Sequence, residues 1–167
     1  MNRKILIFTI GILAVSLVIS SLVNIANFRR NYTDALLTGV IGVGRSLESL
    51  LEDQLAGGQP LEWLSGVNES LREVVAMNPH IAYAGIMKPN GEVVFHNEPE
   101  LIGRVFEDGV SKQAAQAREP FWQLYQRFDG REYFDVAVPL HDGDRAIGVI
   151  RLGFPASLVD DKIMANA

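Results

Sequence analysis

The segment from Tyr133 to Phe154 constrains the fold more than any other part of the chain. It reads YFDVAVPL, then HDGDR, then AIGVIRLGF. In the first run Phe134, Val136, Val138 and Leu140 fall on one side and Tyr133, Asp135 and Ala137 on the other, a period of two that makes a strand. The second run is apolar and β-branched, with Gly148, Ile150, Leu152 and Phe154 on one face. Asp142-Gly143-Asp144-Arg145 between them is turn material. The whole predicts an antiparallel hairpin. Both strands are apolar at most positions, which places it centrally in a sheet.

Ile5 to Phe28 carries no charged side chain and is flanked by Arg3 and Lys4 before it and Arg29 and Arg30 after it. A run of this length crosses a hydrocarbon core of about 30 Å as a helix. A cleaved signal peptide would have a shorter apolar stretch and a small-x-small site after it, so the run reads as an uncleaved anchor. The flanking cations nearly balance. The N-terminal amine tips the orientation toward an internal N-terminus, with residues 31–167 outside the cytoplasm.

Asn31 to Ala56 continues as helix, with Leu36, Val40, Val43, Leu47 and Leu50 in one stripe. That stripe has two readings: a face packed on the sheet of its own domain, or a parallel homodimer seam in which Gly39, Gly42 and Gly44 permit close approach. Gly57-Gly58-Gln59-Pro60 ends the helix. Leu61 to Met77 reads as a second helix, with Leu64, Val67, Leu71, Val74 and Val75 on one side. Ile81 to Met87 and Glu92 to His96 are strands around a Pro89-Asn90-Gly91 turn. Asn97 to Gly109 is an ordered loop whose Leu101, Ile102, Val105 and Phe106 tuck inward. Val110 to Arg118 is a short helix, Phe121 to Phe128 a third strand, and Ser157 to Ala167 an exit helix. The plan is α+β: a transmembrane helix (1–30), long and second helices (31–80), a five-stranded antiparallel core (81–156) and the exit helix (157–167) leading toward a second membrane segment.

Composition narrows the chemistry. A net charge of −5 argues against a nucleic-acid surface. The absence of cysteine excludes disulfides, thiol catalysis and Cys-ligated metal. His80, His96 and His141 are scattered, and neither a phosphate loop nor a nucleophile elbow is present. No metal, cofactor or catalytic residue is expected.

Two blocks, AGIMKPNGEVVFHNEPELIGRVF at 84–106 and FDVAVPLHDGDRAIGVIRLGF at 134–154, resemble the extracytoplasmic PAS-like sensor domain called Cache, of the single-module kind. Such domains occur in bacterial sensor histidine kinases, chemoreceptors and membrane-bound diguanylate cyclases. The resemblance implies a ligand pocket on the sheet face opposite the long helix, and signalling by helix movement. Related sensors of citrate and C4-dicarboxylates hold carboxylates with two arginines. At the matching positions this chain has Val93, two after the turn glycine, and Asp135, four before Pro139; the histidine is kept as His96. Asp135 points to a ligand bearing a hydroxyl or ammonium group, or to internal pairing with an arginine such as Arg151.

The expected ligand contacts are His96, Tyr125, Tyr133, Asp135 and Arg151. Each has a plainer alternative: a loop-anchoring histidine, a solvated face for Tyr133 and Asp135, a core aromatic at Tyr125, a structural partner for Arg151. The expected function is the ligand-sensing input domain of a membrane receptor in a bacterial inner membrane, binding a small polar molecule. A pilin-like subunit is the alternative, weakened by the missing Gly-Phe-Thr start and early glutamate. A membrane-tethered enzyme is weaker still.

Overall fold

The structure is a computed structural model that describes residues 3–160. The chain runs α1 (Arg3–Leu55), a 3-10 turn (Leu61–Trp63), α2 (Val67–Met77), β1 (Tyr83–Met87), β2 (Val93–His96), a 3-10 turn (Pro99–Leu101), α3 (Gly109–Ala115), β3 (Phe121–Gln126), β4 (Glu132–Asp142) and β5 (Arg145–Pro155). Contacts divide the described residues into two units: 3–35 with 159–160, and Leu36–Leu158. The expected exit helix is helical over 157–160, and its remainder lies outside the described residues.

In the first unit the large apolar side chains described from Ile5 to Phe28 are exposed, and α1 is long and apolar enough to cross a membrane. The Thr9 hydroxyl donates to the Ile5 carbonyl at 2.9 Å, so this polar group needs no partner outside the helix.

The second unit is built on a five-stranded antiparallel sheet in the order β2-β1-β5-β4-β3. The hairpin of β4 and β5 pairs from Tyr133 with Pro155 to Asp142 with Arg145, and β5 is the central strand. The alternation does what the pattern requires. Val136, Val138 and Leu140 of β4 join Ile150, Leu152 and Phe154 of β5 in one core under α1 and α2. Leu37, Val40, Leu47, Leu51 and Leu55 of α1, with Val67 and Leu71 of α2, complete it. Each such side chain contributes roughly 1.5–3 kcal/mol by leaving water.

The buried stripe of α1 differs from the one expected. Leu37, Leu51 and Leu55 are buried, Leu36 and Val43 only partly, and Leu50 is 49% exposed. The reason is Gly44, which faces the sheet: a Cβ there would lie 2.6 Å from Cγ2 of Val138. A glycine carries no hydrophobic signal, so the stripe 37-40-44-47-51-55 was invisible to apolar counting. The own-sheet reading thus accounts for the buried face. Gly39 and Gly42 lie on the open side, with nothing within 4 Å of a Cβ.

Three other expectations are corrected. Leu61 to Met77 is not one helix. Leu64 is extended and Gly66 left-handed at φ 77°, so α2 starts at Val67. In the 97–109 loop Leu101 is buried and Phe106 packs inward, but Ile102 and Val105 are exposed. The second face of β4 is not solvated: Tyr133 and Asp135 are buried, and Ala114 of α3 packs in one cluster with Met87, Ala137 and Val149.

Candidate functional site

The sheet face away from α1 is organised in rungs. One rung runs Gln123–Asp135–Gly153–Tyr83 across β3, β4, β5 and β1. The next runs Phe121–Ala137–Arg151–Gly85–His96 across all five strands. Each rung contains a glycine crossed by a ring from the next strand. A Cβ on Gly153 would run into the Tyr83 ring, and one on Gly85 would meet Cδ2 of His96. These glycines are therefore places where a ring lies flat over the backbone.

Across Gly153, the Tyr83 hydroxyl donates to Oδ1 of Asp135 at 2.6 Å. Arg151 donates to the same carboxylate from Nε and, at 2.9 Å, from Nη2, while its Nη1 donates to Oγ of Ser111 at 2.8 Å. Gln123 adds a bond from Nε2 to Oδ2 of Asp135 at 3.0 Å. Asp135 is fully buried and both its oxygens are taken. Its role is internal pairing with Arg151, the second of the two readings the sequence left open. Burial works against the charge of Arg151, but Asp135 beside it holds the guanidinium protonated. Burial and the adjacent Asp135 charge push the Tyr83 hydroxyl well above its ordinary range, so it is a donor only.

Beside this network lies a cavity of about 30 Å³. Tyr83, Gly85 and Arg151 form its floor, Tyr125 and His96 its sides, and Leu101 and Phe106 of the loop its cover. Its volume holds roughly two waters. Of the five expected contacts, His96, Tyr125 and Arg151 line it. Asp135 lies beneath it. Tyr133 packs edge-on against Tyr83 at 5.7 Å and donates to Asp129 Oδ2 at 3.0 Å.

Sequence reasoning missed Arg127. It sits in the link between β3 and β4, is 9% exposed and lines the cavity. Its guanidinium lies 4.7 Å from the Tyr83 ring centre and 5.4 Å from that of Tyr133. Nη2 bonds both oxygens of Glu98 at 3.0 and 2.9 Å. The sequence places it near the end of a strand expected to run from Phe121 to Phe128, whereas β3 ends at Gln126 and Arg127 lies beyond it. His96 accepts a hydrogen bond at Nδ1 from the Glu98 backbone N–H at 2.9 Å, which makes it the neutral tautomer protonated at Nε2. Burial, and then the charges of Arg127 and Arg151, lower its pKa from the usual 6.5 to about 4.

A family model of single Cache domain 3 matches residues 62–166. The chain belongs to that family. This Cache domain is an extracytoplasmic ligand-sensing input domain, and α1 fits the membrane anchor of such receptors. Among solved structures, the sensor domain of DcuS from E. coli superposes with a TM-score of 0.64 at 22% identity, covering 78% of this chain and 96% of that one. The extracellular domain of the putative histidine kinase rpHK1S-Z16 gives 0.59 at 13% identity, over 78% of this chain and 55% of that one. The sensory domain of the Campylobacter jejuni chemoreceptor Tlp3, with isoleucine bound, gives 0.55 at 15%, over 89% and 65%. These likenesses concern the fold. No curated protein matches the chain.

Elsewhere on this Cache domain, Glu48 and Glu52 of α1 and His141 of β4 bring donor atoms within 4.8 Å of one another. His141 Nδ1 lies 3.3 Å from Glu48 Oε1, a hydrogen bond that ties the helix to the hairpin.

Two outcomes follow from the buried charges. Asp135→Ala strands Arg151 and is expected to cost roughly 3–5 kcal/mol in denaturant unfolding; adding Arg151→Met should recover part of the loss. Equal stabilities for the single and double variants would show that the unpaired charge is not the cause. The second outcome concerns pH. The unfolded chain protonates His96 near pH 6.5 and the folded one near 4, so the unfolded state binds more protons between those values. Stability should be full above about pH 6.5 and fall by on the order of 3 kcal/mol as pH drops toward 4. His96→Gln should flatten that part of the profile; an unchanged slope would remove His96 as its source.

Proposed function

We propose that this chain is the non-catalytic input module of a bacterial inner-membrane receptor, with residues 31–167 on the periplasmic side. Its ligand is a small polar molecule bearing an anionic group, held between the sheet face and the 97–109 loop. The observation that carries this reading is the convergence of two guanidinium groups, Arg127 and Arg151, with Tyr125 and a neutral His96 on one cavity of a Cache fold. His96, Tyr125 and Arg151 are the proposed contacts retained from the sequence, and Arg127 joins them. Tyr133 and Asp135 support them from behind. The Tlp3 structure with isoleucine bound supports the class of ligand, since a free amino acid carries a carboxylate. Binding repositions the loop and biases β5, and the residues after Pro155 carry that bias onward. Such coupling typically amounts to about 1–3 kcal/mol.

The receptor works as a parallel homodimer whose contact uses the open side of α1, at Gly39 and Gly42, because Val40 is committed to the sheet.

A thermal-shift screen on the full chain in detergent, covering amino acids, hydroxy acids, mono- and dicarboxylates, amines and polyols, tests the pocket. Anionic compounds should stabilise the protein by about 2.7 kcal/mol at one hundred times Kd, and Tyr125→Ala and His96→Gln should each weaken the response. Stabilisation by amines or polyols alone, or hits indifferent to both substitutions, would sink the reading. The cysteine-free chain also permits a single experiment on topology and assembly. Cysteine at Gly39 or Gly42 should be joined between copies by a membrane-impermeant bifunctional maleimide in spheroplasts, whereas cysteine at Val40 should not. Failure at Gly39 and Gly42, or equal yields at all three positions, would overturn the proposed side or seam.

A further inference from the structure

Arg127 is nine-tenths buried, clamped between rings, and neutralised by one acid, Glu98. Glu98 is the better exposed partner: its side chain is 26% exposed against 8% for Arg127. It stands immediately before the turn Pro99–Leu101, whose Leu101 covers the cavity. Its backbone N–H is also the donor to His96 Nδ1. One residue therefore closes the loop twice, by its side chain on Arg127 and its backbone on His96, over a cavity that holds little more than water.

We infer that Glu98 is an internal stand-in for the ligand: its carboxylate holds the Arg127 site, and a ligand carboxylate takes its place. This rests on the pocket proposed above and gives it a ligand class. The physical reason is charge conservation. A guanidinium this buried cannot be left without an anion, so whatever displaces Glu98 must bring an anion of its own. A carboxylate can place both oxygens on Nη2 as Glu98 does and brings the charge, whereas an amine or a polyol brings no anion. The exchange swaps one carboxylate for another at nearly constant local charge, and what changes is the tether on the loop. Ligand recognition and release of the loop at Glu98 are thereby one event. The cost of competing with Glu98 lowers the apparent affinity, because only the fraction of molecules with Arg127 vacated is competent to bind.

The test needs no natural ligand. On the full chain in detergent, Glu98→Ala should lower the thermal midpoint by several degrees. Sodium acetate at tens of millimolar should restore it, while sodium chloride at equal ionic strength should not. Neither the unsubstituted protein nor Glu98→Ala/Arg127→Met should respond to acetate. In case Glu98→Ala does not fold, Glu98→Gln keeps the shape and removes the competing charge; it should bind the carboxylates found in the screen about tenfold more tightly. Acetate acting no differently from chloride on Glu98→Ala overturns the exchange, as does Glu98→Gln binding no tighter than the unsubstituted chain. Hits that depend on Tyr125 and His96 without acetate rescue would leave the pocket standing and remove only the role of Glu98. Hits indifferent to Tyr125 and His96 would remove the pocket.

Discussion

A buried ion pair governs the sensing face of this domain. Asp135 and Arg151 lie on adjacent strands one rung apart, both out of water, and neither is tolerable there without the other. Their remaining hydrogen-bonding capacity pulls in partners from elsewhere: Tyr83 from β1, Gln123 from β3 and Ser111 from α3. Four strands and the short helix are thus tied through one carboxylate and one guanidinium. The pair does not provide most of the stability, which comes from the apolar face under α1 and α2. It specifies which side chains stand where on the other face.

That arrangement needs room close to the backbone. Gly153 lets Tyr83 cross β5 to reach Asp135, and Gly85 lets His96 lie over β1. With the rings laid flat, the floor of the cavity is level enough for Arg127 to settle above Tyr83 and Tyr133 from the β3–β4 link. The polar groups of the pocket are therefore neutral as a set, each guanidinium matched by an acid and His96 deprotonated at Nδ1. A site so balanced favours exchange of like for like over simple addition of charge.

The two faces of the sheet divide the labour of a receptor domain. The α1 face is dry, interlocked at Gly44 and Val138, and packs residues 36–55 of the helix against the sheet. The opposite face carries the titratable and hydrogen-bonding groups under a loop that backbone hydrogen bonds at Val93, Gly103 and Phe106 pin along β2 and the turn before it.

Much of the fold was legible in the sequence because it rests on local periodicity. The alternation from Tyr133 to Leu140 and the apolar run to Phe154 determined the central hairpin. The uncharged stretch from Ile5 to Phe28 determined the apolar helix, and the blocks at 84–106 and 134–154 the family. Turn glycines and prolines placed most element ends, with Gly66 overlooked inside an otherwise helical pattern. At the candidate site Arg151 stood out by interrupting an apolar strand and His96 by its place in the family block, and with Tyr125 they line one cavity. The tertiary structure alone decided the rest. Asp135 turned from ligand contact to partner of Arg151 because register brings the two together across β4 and β5. Arg127 became a buried wall of the pocket because rings distant in sequence converge beneath it. Gly44 became the helix-to-sheet contact because close approach leaves no hydrophobic mark on a chain. Periodicity records which face a residue occupies; it holds nothing about which charges meet across strands, and those meetings set the chemistry of this site.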